Sequence, residues 1–240
     1  MPELEHDHSI EAIAERIASV KHNYVRDWIY GGIDGAVTTF AVVSGVAGAD
    51  LSVTIVLILG SANLLADGFS MAASNFLGTR AEIDDYRRLE KIERRHIAVE
   101  PEGEREEVRQ IYRDKGFEGK ALEKAVELIT SDNDVWVKTM LTEEYGLPTE
   151  VRSPSKAALS TFSAFFLCGL VPLLPYLFGM QASFTVSSVL TGLTFFIIGS
   201  VKSRWSTQSW LRSGLETFFV GALAAGLAYF VGVLLKDLTT

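Results

Sequence analysis

The sequence predicts an all-α membrane protein: five transmembrane helices, with a cytosolic, charged helical segment inserted between the second and third. Three observations predict it. Apolar residues come in blocks of ~20, the length that crosses a ~30 Å hydrocarbon core, whereas a soluble domain spreads them over shorter elements. The blocks alternate with polar ones, giving a polar start at 1–27, an apolar stretch at 28–79, a charged segment at 80–152 and a second apolar stretch at 153–240. Lys and Arg gather in alternate connections, as they do in multi-pass proteins. The 240-residue chain is 48% hydrophobic with one cysteine, Cys168, inside an apolar block, so no disulfide framework exists.

Taken in order, the first element is a helix over 9–22. Ile10, Ile13, Ile17 and Val20 share one face, Glu11, Glu15 and Lys21 lie elsewhere, and Ser9 caps the start. Such a helix lies on a membrane surface or packs on the charged segment. His6 and His8, in the tail before it, read as incidental polarity rather than as metal ligands. The acidic start carries no basic leader followed by a short apolar core, so no cleavable signal is expected.

The spans follow at about 28–49, 52–78, 157–179, 184–201 and 213–235. The links Ala49-Asp50-Leu51 and Gly179-Met180-Gln181 are short enough that each pair forms a tight antiparallel hairpin. Nothing interrupts Thr79–Val99, so the second span runs on as one long helix to about Ile97, and Pro101-Glu102-Gly103 breaks it. Three further helices are predicted at about 103–115, 118–131 and 133–145, the last stopped by Gly146 and Pro148.

Lys21 and Arg26 precede the first span, and Arg80, Arg87 and Arg88 follow the second. Arg152 and Lys156 precede the third, and Lys202, Arg204 and Arg212 separate the fourth from the fifth. All fall on one side when the N-terminus is cytoplasmic and the C-terminus outside. The net charge of −8 does not suggest nucleic-acid binding. The bilayer is the first partner implied, in a bacterial inner (cell) membrane or, alternatively, an organelle membrane.

Two constellations carry chemistry. The first is in the apolar spans. An acid at a helix centre in a bilayer costs roughly 2.5–3.5 kcal/mol even on permissive scales. Asp34 therefore needs a partner, a cavity or an ion. Thr38 lies one turn away on its face. In the second span Asn63, Asp67, Met71 and Asn75 recur every four residues as one stripe. Counting inward from the cytoplasmic ends puts Asp34 and Met71 at similar depth, roughly 10 Å in. A carboxylate beside a thioether suits a borderline transition metal. Glycines at 31, 32, 35, 45 and 48 permit close helix approach, including to a second copy of the same helix. The bland alternative is a pair of neutral acids that hold helices together. Glu216, one turn into the fifth span, is a weaker candidate.

The second constellation lies in the charged segment, which has nineteen Asp/Glu and fourteen Lys/Arg between Arg80 and Arg152. Glu93 and His96 are spaced i, i+3, as are Glu104 and Glu107, while Met140 and Glu144 are spaced i, i+4. Three helix faces with two metal-capable side chains each resemble the way bundles build carboxylate-rich sites. A solvated acidic face explains the same pattern.

These residues resemble the vacuolar iron transporter family, which includes bacterial proteins and plant nodulin-like members. The similarity runs over about 22–236. H-N-Y-V-R-D-W-I-Y-G-G-I-D-G-A-V-T-T-F-A-V-V-S-G (22–45) resembles the start of its first helix, with Asp34 at the transport aspartate. D-G-F-S-M (67–71) resembles its second-helix motif, with Met71 at the transport methionine. W-V-K-T-M-L-T-E-E-Y-G-L (136–147) and P-L-L-P-Y (172–176) resemble the end of its cytosolic domain and its third helix.

The resemblance implies a proton-coupled exporter of Fe²⁺ and similar divalent ions such as Mn²⁺, working as a homodimer with the path between protomers. No permanently bound cofactor is implied; the metal is substrate. It also implies a cytosolic metal-binding domain with ligands Glu93, His96, Glu104, Glu107, Met140 and Glu144. His96 departs from the pattern, which has Glu there. Leu141 replaces a second Met of some members, and Asn63 stands where some have Glu, with Asp67 nearby as a substitute. A membrane-anchored metal sensor or buffer is the alternative. An enzyme is not expected, because bundle oxidases carry Glu-x-x-His on two helices and here only Glu93 and His96 form it.

Overall fold

The computed structural model describes residues 7–18, 23–148 and 151–236. His6, Val20 and Lys21, and the side chain of Ile17, lie outside the described residues. All described regular structure is helical, and five helices are long and apolar enough to cross a membrane. The chain is a multi-pass membrane protein. The described residues divide into two units, one containing 23–77 and 154–236 and the other 7–18, 78–148 and 151–153.

In the first of these units α2 (Val25–Gly48) is central: half of its apolar window is buried, against 17% for α10 (Trp210–Lys236). Small residues explain the position. A Cβ on Gly31 or Gly35 would overlap the carbonyl oxygens of Thr161 and Phe165 on α7 (Pro154–Leu170). One on Gly48 would overlap the carbonyl of Tyr229 on α10. The glycines on α2 that were expected to admit a second copy are thus largely taken up within the chain. Such close approach replaces hydrophobic driving force where lipid tails are as apolar as leucine.

α2 turns into α3 (Val53–Val99) through a Schellman motif. Leu51 N–H donates to Val46 O and Asp50 N–H to Ala47 O, both at 3.1 Å, with Asp50 at φ 56°. Lys236 Nζ reaches Asp50 Oδ2 at 3.0 Å, so α10 ends beside this link, as alternating spans require.

The third span departs from expectation. It is not one helix over 157–179: α7 stops at Leu170, a 3₁₀ turn covers Val171–Leu173, and α8 (Leu174–Leu177) finishes it. Pro172 and Pro175 cannot donate to the helical ladder and crowd the preceding turn. The Pro172 carbonyl instead accepts a 2.7 Å hydrogen bond from the buried Ser187 hydroxyl on α9 (Ser183–Lys202). Inside a membrane a broken helix needs this kind of side-chain satisfaction.

The other unit contains α1 (Ile10–Ala18), the charged end of α3, and α4 (Pro101–Asp114), α5 (Gly119–Thr130) and α6 (Asn133–Glu143). Ser9 Oγ accepts from Ala12 N–H at 3.3 Å, as a cap should. α4 starts at Pro101, two residues before the predicted 103, because proline fits the first helical position, where its missing N–H is not needed. Asp132 caps α6 by accepting from Asp134 N–H at 2.8 Å and Val135 N–H at 3.1 Å. Leu89, Ile97, Val108, Val126, Trp136 and Met140 are among the residues that close a small apolar core.

Candidate functional site

Within the apolar spans, α2 and α3 present their polar residues to each other. Thr38 hydroxyl donates to the carbonyl of Asp34, one turn back, at 2.8 Å. Asn63 Nδ2 reaches Thr38 Oγ1 at 3.5 Å. Asp34 is half-buried and Asp67 is exposed. Met71 is half-buried and packs against the apolar cluster that contains Phe40 and Phe165.

A second polar contact lies toward the start of α2. Asn75 Nδ2 donates to Asp27 Oδ1 at 2.9 Å and to Thr161 Oγ1 at 2.7 Å, so α2, α3 and α7 meet at one buried point. Asp27 is 6% exposed and Thr161 1%. Two pairings then fix the register, with Thr38 level with Asn63 and Asp27 level with Asn75. Interpolating along the antiparallel helices puts Asp34 level with Asp67. Met71 falls about one turn, ~5 Å, nearer the start of α2. At the backbone Asp34 and Met71 thus differ in depth by about one turn. The side chains recover part of the offset, because each Cβ leans toward its own helix N-terminus, and on antiparallel helices the two lean toward each other.

In the charged unit, α3, α4 and the end of α6 bring the acidic pairs together. Glu93 is 1% exposed and Glu104 6%. One carboxylate oxygen of each, Oε2, is buried without a hydrogen-bond partner. Tyr145 hydroxyl donates to Glu93 Oε1 at 3.0 Å, and His96 Nδ1 lies 3.4 Å from Glu104 Oε1. Burial, reinforced by the Glu107, Glu93 and Glu144 carboxylates, pushes the Glu104 carboxyl up to about 7. Partial desolvation of its carboxylate, with the charges of Glu93 and Glu107, raises Glu144 as well although the residue as a whole is exposed, partly offset by His96 and by a hydrogen bond with Tyr145. Tyr145 is pushed well above its usual value, first by burial and then by the Glu93 contact.

Glu107 and Glu144 are exposed, His96 is 45% exposed in its side chain, and Met140 is wholly buried in the apolar core. Among the described residues, no three His, Cys, Asp or Glu side chains already stand as a metal cage. The arrangement is a set of crowded carboxylates under mutual repulsion, with two buried oxygens that no N–H or hydroxyl serves and that a cation, or a proton shared between Glu104 and Glu93, would satisfy.

Two contributors escaped the sequence reading. Asp27 sits seven residues before Asp34, two turns along the same face, and that spacing was the available signal. Tyr145 had none: its contact crosses fifty-two positions to Glu93.

A family model described as VIT family matches residues 25–233. Three curated relatives are each named vacuolar iron transporter, one with the suffix 1. The protein from Arabidopsis thaliana is 36% identical over 210 residues, 85% of this chain and 83% of its own. That from Toxoplasma gondii is 33% identical over 248 residues, 95% and 82%. That from Plasmodium berghei is 31% identical over 243 residues, 96% and 89%. On the family match and on relatives of this identity and coverage, the chain belongs to the VIT family.

Proposed function

We propose that this protein moves divalent transition metal, Fe²⁺ and by the same ligands Mn²⁺, out of the cytosol in exchange for protons. Its relatives are named for iron transport, which supports the metal. The observation that supports the mechanism is that Asp34 and Asp67 stand at one level of the apolar spans, by the register that the Thr38–Asn63 and Asp27–Asn75 contacts set. Two acids in a low-dielectric setting repel unless a cation or a proton lies between them. Metal and proton then compete for the same oxygens, which is the minimum that antiport requires. Met71, leaning toward that level, adds a soft ligand that favours a transition metal over Mg²⁺ or Ca²⁺.

The charged unit acts on the cytosolic side as the collector. Glu93, His96, Glu104, Glu107 and Glu144 gather the ion, and Met140 joins them by a shift out of its core. Because Glu104 keeps a proton to about pH 7, loading there releases a proton. A homodimer is supported by the polar residues on α3 that the single chain leaves exposed, Asp67, Ser70 and Ser74, since lipid is a poor neighbour for them. A second copy covering that face would enclose the path.

Metal uptake into proteoliposomes, with a panel of Fe²⁺, Mn²⁺, Zn²⁺, Co²⁺ and Mg²⁺ and with or without a pH gradient, tests the proposal. Transition-metal flux that rises with an opposing proton gradient is expected. Metal binding to the full chain without any flux would favour the sensor or buffer instead.

A further inference from the structure

At the end of the membrane unit where α2 begins, a groove of about 650 Å³ opens between α2, the end of α9 and the start of α10. None of its lining residues belongs to either site described above. Its two ends differ in chemistry. The mouth carries Arg26, Lys202, Ser206 and Gln208, while one wall is formed by Val25, Ile29 and Ile33. Those three recur every four residues, one stripe along α2, and run about 12 Å from the mouth into the apolar zone. A groove with a cationic head end and an aliphatic wall running along a membrane helix matches one lipid molecule in shape and in polarity.

Charge selects the lipid. Lys202 Nζ is 4.0 Å from Glu216 Oε2, a loose pair that leaves ammonium protons to bond elsewhere. The Arg26 guanidinium, which lines the groove, lies over the Tyr30 ring, 5.5 Å from its centroid, and keeps its full charge there. Two cations against the Glu216 carboxylate leave the mouth net positive. Trp205 on the rim is 54% exposed, as interfacial tryptophans are. We propose that this groove holds one anionic phospholipid of the leaflet at which α2 begins. Its headgroup phosphate sits on Arg26 and Lys202, and an acyl chain lies along Val25, Ile29 and Ile33.

Native mass spectrometry of the full-length protein in detergent, with phosphatidylglycerol and phosphatidylcholine offered at equal amounts, tests this. Preferential retention of phosphatidylglycerol is expected. The double variant R26Q/K202Q should hold it roughly tenfold more weakly or worse, from the loss of two near-surface cations. R204Q removes an exposed base that does not line the groove and should retain it. Ile29→Trp keeps both cations but fills the aliphatic wall, and should also lose the lipid. Inorganic phosphate should not displace it. Equal retention of the two lipids, displacement by phosphate, or an undiminished preference in both R26Q/K202Q and Ile29→Trp would overturn the assignment.

Discussion

Glu104 is a carboxyl that keeps its proton to about pH 7, because folding buries it among Glu107, Glu93 and Glu144. The unfolded chain loses that proton near the ordinary 4.5. Between those values the folded state binds more protons, so stability is greatest below the lower value and falls as pH rises to the upper one. The melting temperature of metal-free protein should therefore drop from pH 5 to pH 8, and Glu104→Gln should flatten that drop. Bound Mn²⁺ should lessen or reverse it, since metal replaces the proton at the same oxygens. A melting curve rising with pH in the metal-free wild type, and unaltered in Glu104→Gln, would contradict the assignment. Asp34 was legible in the sequence, since an acid in an apolar span is costly enough to demand explanation. Its register was not, because that depends on Asn75 bonding to Asp27 and Thr161, contacts that only the folded chain makes.

Among the elements, Asn75 ties α2, α3 and α7 by two hydrogen bonds. Asn75→Leu would remove two hydrogen bonds that join three helices, at a cost of about 1 kcal/mol each. A lowered melting temperature in detergent checks this, and an unchanged one would show that the contact adds nothing. Gly35→Ala should destabilise through the clash of its Cβ with the Phe165 carbonyl, by about 1–3 kcal/mol. Gly78→Ala, whose Cβ would meet open space, serves as the comparison and should cost nothing measurable. The five spans were readable because ~20 apolar residues in a row leave few alternatives. The break was signalled by Pro172 and Pro175, but hydrophobicity continues unbroken across them, and only the folded chain supplies Ser187 to the freed carbonyl. Block hydropathy reports length and environment, not continuity. Likewise the α2 glycines announced a close approach without naming the partner, which proved to be α7 and α10.

At the scale of the molecule, chain membership in the VIT family and five apolar helices fix a membrane protein, and the polar face between α2 and α3 gives it chemistry. The carboxylates proposed to collect metal and the acids in the spans differ in setting. Glu93 and Glu104 are buried outside the apolar spans, whereas Asp34 and Asp67 stand at one level within them. Loss of the collector alone, in a Glu93→Gln/Glu104→Gln variant, should raise the metal concentration needed for half-maximal flux several-fold while leaving maximal flux largely intact. A proportional loss of maximal flux would place those carboxylates in the translocation step itself.

The central claim is that metal and proton share the carboxylate of Asp34. Its most direct test is Fe²⁺- or Mn²⁺-driven proton flux in proteoliposomes carrying wild type or Asp34→Ala at matched protein density. Wild-type protein should couple metal movement to opposite proton movement, and Asp34→Ala should abolish both. Undiminished metal-driven proton flux in Asp34→Ala would contradict it.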